Sequence, residues 1–119
     1  MVNRTLVVIT LVLLGLGGLF LVLRPGMSSD GPQERAYDVE IKDGAMSPAE
    51  IIVRQGDQVT LRLSSDAPVE VHLHGYDLEE EVEPDEKNEL SFEAELTGRF
   101  EIEDHETEAE LGALLVEPR

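Results

Sequence analysis

From Tyr37 to the C-terminus, apolar residues return at every second position, and a period of two fits a strand rather than a helix. Tyr37, Val39 and Ile41 alternate with Asp38, Glu40 and Lys42. Val59, Leu61 and Leu63 alternate with Thr60, Arg62 and Ser64, and Val69, Val71 and Leu73 with Glu70, His72 and His74. Leu90, Phe92, Ala94 and Leu96 continue the pattern, Phe100 and Ile102 follow, and the apolar runs at 51–54 and 114–116 complete it. Turn-forming residues separate the runs at Asp43-Gly44, Gln55-Gly56-Asp57, Ser65-Asp66 and Thr97-Gly98. About seven short strands at this spacing predict a two-sheet antiparallel β-sandwich around one core.

The sequence ahead of this region is built differently. Residues 6–23 (LVVITLVLLGLGGLFLVL) carry no charge over 18 positions, close to the ~20 apolar residues that span a bilayer's hydrocarbon core. Small residues suited to signal cleavage do not follow: Val22-Leu23-Arg24 offers no such site, and Gly26-Met27-Ser28 a poor one. With no cysteine there is no lipid attachment point either. A retained transmembrane or signal-anchor helix is therefore expected. The alternative, a cleaved signal peptide, leads to the same compartment. The expected organisation is a short flank over 1–5, the membrane helix over 6–23, a flexible Pro-, Gly- and Ser-rich linker over 24–35 and a folded domain over 36–119. Lys and Arg are nearly balanced at the two ends of the apolar run, so they hardly vote on orientation. The N-terminal position of the run and the acidic domain behind it favour a single pass through the inner (cytoplasmic) membrane, with the domain facing the periplasm or the outside.

That domain is strongly acidic. The chain has 26 Asp and Glu against 9 Lys and Arg, a net charge of −17, and every acid lies at or after Asp30. Residues 36–119 hold 24 acids and 6 bases, hence a net of −18. Such charge repels nucleic acid and anionic lipid and favours hydrated cations or a basic protein partner. With only two lysines, Lys42 and Lys87, the composition also suits a chain that works in high salt, where screening relieves self-repulsion. The run at 79–86 (EEEVEPDE) reads as a solvated acidic loop or sheet edge, whose charges would discourage edge-to-edge pairing. The absence of cysteine excludes disulfides, thiolate metal sites and a cysteine nucleophile. No Ser-His-Asp order, Gly-rich phosphate loop or HExxH is present. A domain this small has little room for a deep cleft, so no enzyme is expected.

Three stretches carry a family resemblance. MSPAEIIVRQGDQVTLRLSSD resembles the opening of a cupredoxin domain, where a proline leads into one strand and a Gly-Asp turn into the next. VHLHGYD resembles the segment that delivers the first histidine ligand of copper. LSFEAELTGRFEIEDH resembles the closing hairpin that runs into the ligand loop. The similarity covers about residues 37–118 and is nearest to cupredoxin-like domains of the EfeO type, found in bacterial periplasmic iron-transport proteins and related small anchored proteins. It implies a cupredoxin-like Greek-key β-sandwich and a role in metal uptake or handling. The resemblance places the family's copper-binding cysteine near Asp104 and a histidine at His105, with no methionine in the loop that follows. Without the Cu–thiolate bond, blue-copper electron transfer is excluded.

All three histidines fall in those two segments. By resemblance His74 matches the first ligand position, while His72 lies two residues earlier on the same strand face. Glu103 shares strand parity with His105. Imidazoles with a carboxylate suit Cu(II), Zn(II) or iron, so the candidate ligands are His74, His105, Glu103, His72 and Asp104, for copper first and iron or zinc next. The plainer alternatives are a polar outward strand face, or a histidine tied to a carboxylate such as Glu103. Met46 is either a soft ligand or a packing residue, and Tyr76-Asp77 reads as a turn with a buried ring. Two functions follow: a membrane-anchored metal-binding module, or a metal-free interaction module that presents its acidic face to a membrane or periplasmic partner.

Overall fold

The computed structural model describes residues 31–119. The expected flank and membrane segment lie outside the described residues, within which no helix is long and apolar enough to cross a membrane. Nine strands form: β1 (Glu34–Lys42), β2 (Ala45–Ser47), β3 (Glu50–Arg54), β4 (Gln58–Ser65), β5 (Val69–Leu73), β6 (Leu78–Val82), β7 (Asn88–Glu93), β8 (Gly98–Asp104) and β9 (Ala109–Glu117). They make a four-stranded sheet, β2-β1-β4-β7, and a five-stranded sheet, β3-β9-β8-β5-β6. The all-β sandwich is as expected, with nine strands where the alternation marked about seven.

The two additional strands have local causes. β2 exists because Asp43 and Gly44 both take positive φ, 52° and 74°, the backbone of a two-residue primed turn that closes a hairpin with Lys42 opposite Ala45. β6 (LEEEV) hides its alternation because three successive glutamates fill its middle. It forms by pairing with β5, Leu73 opposite Leu78 and Val69 opposite Val82. It is the sheet edge that the acidic composition suggested. The sheets are mixed rather than purely antiparallel: β1 pairs with β4, and β3 with β9, in parallel. Parallel neighbours need a crossover, which the chain supplies by passing from one sheet to the other between them.

Val39, Ile41, Val59, Leu61 and Leu63 face Ile51, Val53, Val71, Leu73, Ile102, Leu114 and Val116 across the sandwich, all buried. Each such side chain contributes about 1.5–3 kcal/mol of burial free energy before entropy is counted. Met46 is buried in the same cluster, which makes it a packing residue. Leu96 is exposed, because β7 ends at Glu93 and the alternation runs past the strand.

The N- and C-terminal ends of the domain are tied at Asp57, a fully buried acid. Its carboxylate accepts hydrogen bonds from the N–H of Gln33 (2.9 Å) and of Arg54 (3.0 Å) and from the Arg119 guanidinium (2.5 Å), with Arg35 Nε at 3.8 Å. Burial alone would raise its pKa, but the two N–H groups and the two guanidinium groups outweigh it and hold the carboxyl below the usual range.

Candidate metal centre

The outward face of the five-stranded sheet carries the histidines. Cross-strand partners project to the same face, and His72 on β5 stands between Glu79 on β6 and Glu103 on β8. Three strands thus lay Glu79, His72 and Glu103 in one row. Two further histidines close on this row from beyond strand ends. His74 follows the last residue of β5, its N–H donating to Glu101 O at 3.0 Å. His105 follows β8, its N–H donating to Glu70 O at 2.8 Å.

The turn after β5 fixes His74. Gly75 has φ +82°, and the Phe100 ring occupies the space that a Cβ would need. Phe100 also packs against Tyr76, with centroids 5.0 Å apart, and Tyr76 against Phe92 at 5.1 Å. The Tyr76 hydroxyl donates to Leu96 O at 2.9 Å and accepts from Leu96 N–H at 3.1 Å. Burial of this ring raises its phenol pKa. Tyr76 therefore anchors the turn, its ring partly buried where a buried ring is expected.

The donor atoms converge. His72 Nδ1 lies 3.4 Å from Glu103 Oε1, and His74 Nε2 touches the same oxygen. His72 and His74 rings are 4.5 Å apart and tilted at 46°, while His72 and His105 rings meet edge-on at 5.3 Å. One donor atom from each of His72, His74 and Glu103 falls within 4.8 Å of the other two. The same holds for His72, Glu79 and His105, with His105 Nδ1 3.7 Å from Glu79 Oε1. Glu103 and His72 side chains are mostly covered, at 13% and 14% exposure, whereas His105 and Glu79 are half-exposed, at 50% and 47%. Contact with His74 first, and with His72, holds the Glu103 carboxyl below its usual range, although desolvation works the other way.

One nitrogen stands out. His74 Nε2 is a buried atom in ion-pair contact with the Glu103 carboxylate and has no other polar partner among the described residues. The donor set of imidazoles and carboxylate fits Cu(II), Zn(II) or iron, and it lacks the thiolate of a blue-copper centre.

Of the expected ligands, His72, His74 and Glu103 come together, and His105 adjoins them through His72. Asp104 stands apart. It is opposite Val71, a fully buried residue, so it projects to the other face of the sheet from His72 and Glu103. Its carboxylate accepts the Glu106 N–H at 3.1 Å and braces the β8–β9 turn. The cluster lies on the outward face of the sheet and holds no thiolate. Glu79 was missed because the acidic run at 79–86 was read without pairing. Placing β6 as a hairpin partner of β5 would have set Glu79 beside His72.

Comparison with known proteins agrees with this fold. The family model described as Cupredoxin-like domain matches residues 11–116. No curated protein sequence matches. Among solved structures, the multicopper oxidase mgLAC superposes with a TM-score of 0.62 at 18% identity, covering 72% of this chain and 39% of the oxidase, so the chain spans about two fifths of that protein's length. A chain from a cryo-EM structure of a heme-copper terminal oxidase dimer gives 0.60 at 19% identity and covers 95% of this chain and 97% of that one. The metal binding domain of the Streptococcus pneumoniae D39 Cu(I) exporting P-type ATPase CopA, determined with Cu(I), gives 0.57 at 17% identity over 71% and 94%.

Proposed function

The chain belongs to the cupredoxin-like domain family, and from that premise we propose that it is a membrane-anchored, extracytoplasmic metal-binding module for uptake or handling of copper, or of zinc or iron. The domain faces the periplasm or the outside from a single anchor at 6–23, and it binds rather than catalyses. Its inner ligand set is His72, His74 and Glu103. The observation that carries the reading is the convergence of these three donors within 4.8 Å of one another, with His74 Nε2 buried against the Glu103 carboxylate. Copper-binding proteins of the same fold support it at the level of the fold. The resemblance of its motifs to EfeO-type domains, together with the lack of a cysteine for a Cu–thiolate bond, supports metal uptake over electron transfer.

Calorimetric titration of the full-length protein in detergent micelles with Cu(II), Zn(II) and Fe(II) tests this. One-to-one binding that His74→Ala weakens sharply is the expected result. Weak binding of many ions per chain, unchanged in that variant, would leave only a titrating acidic surface.

A second reading has its own support. The near end-to-end match to a chain of a heme-copper terminal oxidase dimer, with the net charge of −18 over 36–119, favours an interaction module that sets an acidic face against a membrane-protein partner. Under that reading, purification from membranes in mild detergent yields a stoichiometric partner whose retention falls with rising salt and is untouched by His74→Ala.

A further inference from the structure

The inner set does not exhaust the chemistry of this face. His72 belongs to two groups of donors at once: His74 and Glu103 on one side, Glu79 and His105 on the other. The groups differ in access. The difference lies in the carboxylates: Glu103 is 13% exposed, whereas Glu79 on the edge strand is 47% exposed; the two flanking histidines, His74 and His105, are alike at 44% and 50%. We propose that Glu79 and His105 form a loading station for a divalent cation of the Cu(II) or Zn(II) class, which passes to the inner set by exchanging ligands around His72. This rests on the metal-binding reading of the inner set.

Three physical points support it. First, the station lies on an acidic and open part of the sheet. Glu79 and Glu81 sit on β6, with Glu70 opposite Glu81 on β5. An approaching cation is concentrated there before it reaches the mostly covered Glu103. Second, a shared ligand lowers the barrier to transfer. A cation held by His105, Glu79 and His72 can gain His74 and Glu103 while His72 stays bound, so it is never released bare to solvent. The 4.5 Å and 5.3 Å ring separations put His72 between the two other histidines. Third, the donor chemistry is alike on both sides, imidazole and carboxylate, so the ion meets no change of preference on the way. Because a neutral imidazole offers one lone pair, sharing His72 makes the two positions exclusive, and one ion binds per chain.

The test uses full-length protein in micelles and Cu(II) as the probe. Stoichiometry and affinity come from competition with a chromophoric chelator, and the rates of loading and of release to the chelator from stopped-flow mixing. The expected result is one Cu(II) per chain. The His105→Ala/Glu79→Gln double variant then slows loading and release by the same factor, roughly tenfold or more, while His74→Ala lowers affinity. Both exchanged groups are half-exposed, so the double variant keeps its fold, checked by circular dichroism. Two ions per wild-type chain would overturn the proposal, as would unchanged rates in the double variant. An affinity loss there as large as in His74→Ala would also overturn it, making His105 and Glu79 resident ligands of a single site. Failure of wild-type protein to bind stoichiometric Cu(II) would instead overturn the metal-binding reading itself.

Discussion

Replacing Asp57 with asparagine keeps the shape of a fully buried side chain and removes its charge, and the structure sets the cost. One carboxylate oxygen accepts from Gln33 N–H and Arg119, and the other from Arg54 N–H beside Arg35. The asparagine amide keeps one oxygen. Its NH2 group must then face a backbone N–H and a guanidinium, donor against donor. An unsatisfied buried N–H costs about 1–3 kcal/mol, and the lost charge-assisted bond to Arg119 about 1.5–3 kcal/mol. The sum is near the ~3–5 kcal/mol typical of breaking a buried ion pair from one side. For a domain of this size ~3 kcal/mol lowers the melting temperature by about 12 °C or more. The pH dependence gives a second readout. The Asp57 carboxyl is held below its usual range in the folded state, so its stabilisation is fully present above the unfolded pKa of about 3.9 and fades as pH falls through the lower folded value. The gap between wild type and Asp57→Asn should therefore be largest near neutrality and close in strong acid. Denaturant melts of the full-length protein, followed by circular dichroism from pH 7 downward, measure both. A loss below ~1 kcal/mol at pH 7, at odds with the buried-pair cost, or a gap that stays constant into acid, would refute the reasoning.

Other consequences are open to simpler measurement. Gly75→Ala should cost about 1–3 kcal/mol from its positive φ, with the Phe100 clash in addition, and should also weaken metal binding by moving His74; a melt and a titration on one sample check both. Glu103→Gln should lower Cu(II) affinity by roughly tenfold or more while the fold persists, since Glu103 lies outside the core. Acidification should release bound metal as protons compete for the ligands; because Glu103→Gln weakens binding, its metal-retention curve should have its midpoint at higher pH than that of the wild type, and coincident curves would remove Glu103 from the ligand set. Molar salt should raise the folded fraction by screening the −18 of residues 36–119, and no gain between low and molar salt would count against that charge as a source of strain.

The sandwich was legible in the sequence because its core strands alternate cleanly: Val59, Leu61 and Leu63 on β4 and Val71 and Leu73 on β5 are all buried as their parity requires. β6 was not, since Glu79, Glu80 and Glu81 show no alternation and only the pairing of Leu78 and Val82 with β5 makes it a strand. The resemblance puts His74 and His105 first, with Glu103 or Asp104 completing the site and His72 in reserve, whereas the structure draws His72, His74 and Glu103 together and sets His105 beside Glu79. Parity counted along a single strand could not supply the rest. Glu79 reaches His72 from the neighbouring strand, and Asp104 falls on the opposite face because β8 pairs it with Val71. Asp57 announced only a turn in the sequence; its burial depends on Gln33 and Arg119, which lie 24 and 62 residues away along the chain.

The inner ligand set is best tested by pulsed electron paramagnetic resonance of Cu(II) bound at one equivalent to the full-length protein, counting coupled imidazole nitrogens. Coordination by His72 and His74 predicts two imidazoles in the wild type and one in His74→Ala. No imidazole coupling, or a count unchanged by that substitution, would contradict a histidine site on the outer face of this sheet.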